Sequence, residues 1–191
     1  AANVGIIMER KIKGCAILRG EITPPGDKSI SHRAIILNSI ARGRAMIENL
    51  APGDDLSATI SCLRALGVDI VEEEGTLTVS GVGREGFRPP TDVLHAGNSA
   101  TTMRLLAGLL AAQPFLSIIT GDESLRSRPM DRLVHPLRLM GAEIWGRRND
   151  SLAPLAIKGH KLKGIDYRLP VASAQLKSAI LIAALFAQGE T

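Results

Sequence analysis

LRALGVDI, residues Leu63 to Ile70, returns as LRLMGAEI at Leu137 to Ile144, 74 positions further on. Each copy runs from apolar residues at helical spacing into a glycine and then an apolar–acidic alternation. This reads as a helix end, a C′ glycine and the start of a strand. A short strand-like segment closing on glycine follows each copy: LTVSG at Leu77 to Gly81 and LAIKG at Leu155 to Gly159. Upstream, SHRAIILNSIA (Ser31–Ala41) matches TMRLLAGLLA (Thr102–Ala111), with Arg33 and Arg104 as counterparts. A third version of this helix, QLKSAILIAAL (Gln175–Leu185), carries Lys177 at the basic position. The chain is therefore built on an internal repeat of about 70 residues.

Each full copy reads as an extended segment, helix, strand, helix, strand, strand. In the first, Ile30, Ala34, Leu37 and Ala41 are expected to form the apolar helix face, with Gly43 as the stop. AMIENL (Ala45–Leu50) is a strand. Asp54 is expected to cap a second helix that buries Leu56, Ile60 and Leu63 and ends at Gly67. VDIVEE and LTVSG then pair across a Glu74-Gly75 turn. The second copy predicts a helix from about Ser99 to Ala112, a strand FLSIIT, and a helix with Pro129 at its first position, kinked at Pro136. The third copy stops after its first helix, and a single repeat cannot bury its own apolar face, so the chain is expected to be a fragment.

Composition narrows the class. A chain of 191 residues with 45% hydrophobic content is ample for a packed core. The longest apolar run, Ala179 to Ala187, is nine residues, about half of a membrane span. With no h-region of a secretory signal, the expectation is a soluble, cytoplasmic protein with no membrane partner. Cys15 and Cys62 show no metal or redox spacing and read as buried free thiols; no metal site is expected. A net charge of +4 and a pI near 9.4 raise nucleic acid as a partner. Five aromatic residues and no basic run longer than two argue against it.

The cations instead gather near predicted helix starts. PGDKSISHRAI (Pro25–Ile35) breaks the chain, then places Lys28, Ser29, Ser31, His32 and Arg33 on the opening turns of a helix. The helix dipole disfavours cations there. With an anion bound, the same cations, hydroxyls and backbone N–H groups converge on one negative charge. A small anionic ligand is the reading that rationalises the placement.

Four motifs in register, PGDKSISHRA, GNSATTMRLLAGLLA, SLRSRPMDRLVHPLRLMGAEI and VASAQLKSAILIAAL, resemble the 5-enolpyruvylshikimate-3-phosphate synthases. The resemblance runs from about Gly14 to the end. It implies an α/β enolpyruvyl transferase fold, an inside-out α/β barrel of repeated βαβαββ units about a pseudo-threefold axis. Residues 1–24 would then belong to a second domain, with CAILRGEI (Cys15–Ile22) a strand lacking its neighbours. Residues 25–191 would form an incomplete first domain with units at about 25–83, 92–160 and 165–191, the third truncated.

The resemblance also implies enolpyruvyl transfer from phosphoenolpyruvate to the 5-hydroxyl of shikimate 3-phosphate, without metal or organic cofactor. It assigns Lys28 to catalysis and to both substrates. Ser29, Arg33, Ser173, Ala174 and Gln175 fall to shikimate 3-phosphate, and Asn98, Ala100, Thr101, Arg128 and Gln175 to phosphoenolpyruvate. Ala100 stands where the family usually has glycine, which implies insensitivity to the longer inhibitor glyphosate; Ala174 replaces a common serine. Thr102 and Met103 are expected to pack inward, Arg104 to be structural, and Arg126 and Arg132 to be solvated. His32 carries no family role and reads as structural or superficial. Asp54, Asp55, Asp122 and Glu123 read as caps and turn residues. The acid/base carboxylates would lie in the C-terminal half of the enzyme, a missing partner without which this chain would be inactive. A UDP-N-acetylglucosamine enolpyruvyl transferase stays open as an alternative, although Cys62 does not fit its reactive loop cysteine. So does a non-catalytic anion-binding module.

Overall fold

The computed structural model describes residues 19–191 together with Lys11, Gly14 and Ile17. The repeated motif explains how its helices end. Helix α2 (Asp54–Ala65) gives way to Gly67 at φ +89°, and α5 (Asp131–Met140) to Gly141 at φ +114°. A side chain resists such left-handed backbone, which is why glycine stands at both places. The Gly67 and Val68 amides donate to the Arg64 and Leu63 carbonyls at 3.0 and 3.1 Å; those of Gly141 and Ala142 donate to Arg138 and Leu137 at 2.9 and 3.1 Å. Both ends are Schellman motifs. The arginines then repeat as well: Arg64 donates to the Ile70 carbonyl of the next strand, and Arg138 to that of Ile144.

Around these ends the two units share one plan. The first holds α1 (Lys28–Ile40), β1 (Arg42–Ile47), α2, β2 (Asp69–Glu73) and β3 (Thr76–Val82). Its antiparallel sheet has the order β1-β3-β2, closed by the Glu74-Gly75 turn. The second holds β4 (Leu94–His95), α3 (Ala100–Leu110), β5 (Leu116–Thr120), one-turn α4 (Glu123–Arg126), α5, β6 (Glu143–Gly146), one-turn α6 (Arg147–Asp150) and β7 (Leu152–Lys158). The order β5-β7-β6 repeats the first sheet, with β4 added parallel to β5. Helix α7 (Ala174–Ala184) stands where a third unit would place its first helix.

Helix α3 is the centre. From Leu105 through Leu110 every residue is buried, and an apolar helix without a polar face belongs inside a core. Its partner is α7, and the two approach so closely at Gly108 that a Cβ there would stand 2.2 Å from the Ala179 carbonyl oxygen.

Several expectations need correction. Helix α1 buries Ser31, His32, Ile35, Ile36, Ser39 and Ile40, while Ile30 and Leu37 remain 69% and 45% exposed. Polar residues can occupy the inner face because they bring partners. Ser31 and Ser39 hydroxyls donate to the carbonyls four residues back, each at 2.8 Å. Gly43 lies within β1, and α1 has already ended at Ile40. Gly53, not Asp54, occupies the α2 N-cap, and Asp54 sits in the first turn. Helix α5 starts at Asp131, so Pro129 lies outside it, and the helix continues past Pro136 to Met140. No strand forms at Ile17 or over residues 19–22, against the strand read at Cys15–Ile22, because these residues pair with no strand among the described residues; Ala16, Leu18 and the Cys15 thiol lie outside the described residues, and Cys62 is buried and free.

Replacing Gly108 by alanine tests the α3–α7 contact. Helix propensity alone favours alanine by about 1 kcal/mol. Overpacking against a backbone carbonyl opposes it by about 1–3 kcal/mol. We expect Gly108→Ala to lower the urea midpoint of unfolding; a raised midpoint would show that the helices separate easily.

Candidate functional site

Three helix amino ends meet on one side of the fold. Each is capped by a side chain that accepts only the third helical amide. The caps are Asp27 to Ile30 N–H at 2.7 Å, Ser99 to Thr102 N–H at 3.1 Å and Ser173 to Leu176 N–H at 3.3 Å. The first two amides of α1, α3 and α7 take no part in these caps, so each end keeps donors and a positive dipole end for an anion.

Side chains tie these ends together. Arg33 of α1 donates through Nε and Nη2 to Ser178 Oγ of α7 at 3.0 and 2.8 Å, and Ser178 donates to the Ala174 carbonyl at 2.8 Å. Arg33 also donates to the Ser29 carbonyl at 2.9 Å. Gln175 of α7 donates to Thr101 Oγ1 at 2.8 Å and accepts from Arg104, which reaches on to the Pro129 carbonyl. Arg128 donates to Asn98 Oδ1 at 2.6 Å, and Asn98 donates to Asp122 at 2.7 Å. Lys28 forms an ion pair with Asp55. Arg104, Pro129, Arg132, Val171 and Ser173 line a cleft of about 370 Å³.

The local charge is unbalanced. Among the described residues, Arg33, Arg104 and Arg128 make no ion pair with a carboxylate. Burial, and then the Arg128 charge, push the Arg104 guanidinium below its ordinary pKa. The Asn98 donor, followed by the Leu125 amide, holds Asp122 below the usual carboxylate range. Guanidiniums fixed beside helix amino ends favour a doubly charged or paired anion.

Beneath the surface runs a buried polar chain. His32 Nδ1 lies 2.7 Å from Thr59 Oγ1, Thr59 lies 2.7 Å from Thr102 Oγ1, and Thr102 lies 2.8 Å from Ser99 Oγ. All four residues are buried.

The structure thus gathers Ser29, Arg33, Ala174, Gln175 and Thr101 into contact through α7, and Asn98 with Arg128. Lys28 stands apart on Asp55. Ser173 is the α7 cap, and Ala100 is half-buried at the first position of α3, packed partly on the core. Thr102 and Met103 pack inward, and Asp122 caps α4, as read from the sequence. Asp55 is not a cap but the partner of Lys28, and Arg132 borders the cleft. Ser178 was missed, and a repeat aligned by its caps exposes it. The basic residues Arg33, Arg104 and Lys177 lie six, five and four places after their caps, so they do not share a face. Ser178 is the residue at the Arg104 position, while Lys177 is exposed beside Ile165 and Tyr167. Burial pushes the Cys62 thiol up to about 11, unsuited to a reactive cysteine. No group of metal-ligating side chains occurs among the described residues, and no described helix is long and apolar enough to cross a membrane.

Comparison with known proteins adds a family. Residues 12–191 match the model of EPSP synthase (3-phosphoshikimate 1-carboxyvinyltransferase). The chain is 57% identical over 185 residues to 3-phosphoshikimate 1-carboxyvinyltransferase of Desulforudis audaxviator, covering 96% of this chain and 43% of that protein. It is 58% identical over 172 residues to the protein of that name from Chloroflexus aurantiacus, covering 90% and 40%. EPSP synthase from Acinetobacter baumannii superposes with a TM-score of 0.85 at 48% identity, over 89% of this chain and 39% of that one. The chain therefore spans about two fifths of the length of the curated relatives it matches.

Burial lowers the His32 pKa from 6.5 to about 4, with Asp55 raising it and Lys28 and Arg33 lowering it further. Between these values the unfolded chain binds more protons at this ring than the folded one, so stability falls as pH falls from about 6.5 towards about 4. Above about 6.5 the ring adds no pH dependence. We expect urea midpoints of wild type to fall relative to those of His32→Asn across that window. A constant difference between the two proteins would show that His32 is not depressed.

Proposed function

The chain belongs to the EPSP synthase family, and we propose that the protein transfers the enolpyruvyl group of phosphoenolpyruvate to shikimate 3-phosphate, this chain supplying one wall of the site. The observation that carries the reading is the set of three guanidiniums without carboxylate partners beside the amino ends of α1, α3 and α7. Two anionic substrates supply the missing charge.

Ser29, Arg33, Ser173, the Ala174 amide and Gln175 hold shikimate 3-phosphate. Arg128, Asn98, Thr101 and Gln175 hold phosphoenolpyruvate, with Ala100 against it. Lys28, held by the Asp55 carboxylate, contacts both. The substrate 5-hydroxyl adds to C2 as C3 takes a proton, giving a tetrahedral intermediate. Departure of phosphate with loss of a C3 proton then leaves the enol ether. Holding both reactants in line lowers the barrier through orientation, and charged donors stabilise the developing charge. Asp55 and Asp122 are already committed to Lys28 and Asn98, so the acid/base carboxylates come from beyond this chain.

Phosphate release by the full-length protein tests the reading. It should require both phosphoenolpyruvate and shikimate 3-phosphate, and no release with both present refutes the assignment. Arg33→Ala should weaken shikimate 3-phosphate binding by about 1.5–3 kcal/mol, roughly a ten- to hundredfold rise in Kd by calorimetry. Unchanged affinity removes Arg33 from the site.

Ala100 bears on inhibitor selectivity. A methyl group where the family usually has glycine narrows the phosphoenolpyruvate pocket more for glyphosate, which is longer, than for the substrate. Overpacking by one methyl costs about 1–3 kcal/mol. Ala100→Gly should therefore restore glyphosate inhibition by roughly five- to a hundredfold at matched phosphoenolpyruvate. Inhibition constants within about twofold of each other would remove the methyl as the discriminating group.

A further inference from the structure

His32 is fully buried, yet only one of its ring nitrogens is bonded. Nδ1 meets Thr59 Oγ1 at 2.7 Å, while Nε2 has no hydrogen-bond partner among the described residues. Following each proton along the chain settles which nitrogen carries hydrogen. With hydrogen on Nδ1, His32 donates to Thr59, Thr59 donates to Thr102, and Thr102 donates to Ser99 Oγ at 2.8 Å. The Asp55 carbonyl, 3.1 Å away, is a second acceptor for the same Thr102 hydrogen. The His32, Thr59 and Thr102 hydrogens then all have acceptors, and the ring leaves only a lone pair on Nε2 unmet. With hydrogen on Nε2, an N–H donor is buried with no acceptor, the arrangement that proteins avoid most strongly.

The chain also returns to its own helix. It leaves α1 at His32, crosses α2 at Thr59 and α3 at Thr102, and comes back to α2 at the Asp55 carbonyl. The Asp55 carboxylate in turn holds Lys28 at the start of α1. At its other branch, the chain fixes Ser99, the cap of α3.

We propose that His32 is a positioning residue, neutral and protonated at Nδ1, which through Thr59, Thr102 and Asp55 sets where Lys28 stands relative to the amino end of α3. The consequence for Lys28 rests on the enolpyruvyl transfer reading; the tautomer does not. A single side chain thereby links the placement of the two helix ends.

The test uses full-length protein labelled with ¹⁵N-histidine, with His32→Asn to assign the resonance. We expect His32 to show a protonated Nδ1 and an unprotonated Nε2 from about pH 5.5 to about pH 8, above its depressed pKa of about 4. An Nε2–H or doubly protonated ring at neutral pH overturns the proposal. Turnover then separates positioning from bulk. His32→Leu removes the donor and should lower kcat roughly ten- to a hundredfold, the size of effect that misplacing a reacting group by about 1 Å produces. His32→Asn, whose amide offers an N–H near the same place, should recover most of that loss. Equal losses in both variants, or none in His32→Leu, overturn the role. If His32→Leu does not fold, Thr59→Val breaks the chain at the next link and is expected to lower kcat similarly; unchanged kcat there also overturns it. Absence of turnover in wild type would count against the enolpyruvyl reading alone, since the tautomer stands on its own measurement.

Discussion

The contact between Gly108 and the Ala179 carbonyl governs the geometry of everything above it. Two helices approach this closely only where one lacks a side chain. Thr101 meets Gln175 near their starts and Gly108 meets Ala179 further along, so α3 and α7 run parallel. Parallel packing puts both amino ends on one side, and α1 joins them through the Arg33–Ser178 contact.

That alignment carries an electrostatic penalty. Adjacent parallel helices bring like dipole ends together, and arginines at those ends add to the repulsion. Nothing in the local ion pairing relieves Arg33, Arg104 or Arg128 among the described residues. The strain is tolerated because apolar burial along α3 and α7 is extensive, including Leu105, Leu106, Leu109, Leu110 and Ala183. An anion at the helix ends converts the same arrangement into a stabilising one, so core packing and ligand chemistry are two sides of one placement.

The units use a common frame for different tasks. In both, an arginine in the second helix donates to the carbonyl of an isoleucine in the following strand, and a glycine ends that helix in the left-handed region. The first helices diverge instead. Asp27 caps a start rich in charge, whereas Ser99 and Ser173 cap starts made of small and amide side chains. The frame repeats the packing geometry, and the caps and first turns are where the units differ.

The repeat, the order of elements and the C′ glycines were legible in the sequence because each rests on local chemistry. A left-handed turn selects glycine whatever the rest of the chain does. The family motifs also identified Arg33, Arg128 and Gln175 as members of one region. Which face of α1 turned inward was not legible, because His32 and Ser31 take partners from elsewhere, Thr59 Oγ1 and the Ala51 amide, while Ser39 bonds back to its own helix. Asp55 looked like a cap until the fold brought Lys28 against it, and the contact that gives Ser178 its part, with Arg33, exists only once α1 and α7 lie side by side. Periodicity ranks residues by their own polarity. Burial of a polar group depends instead on whether another element delivers its hydrogen-bond partner, and only the tertiary structure decides that.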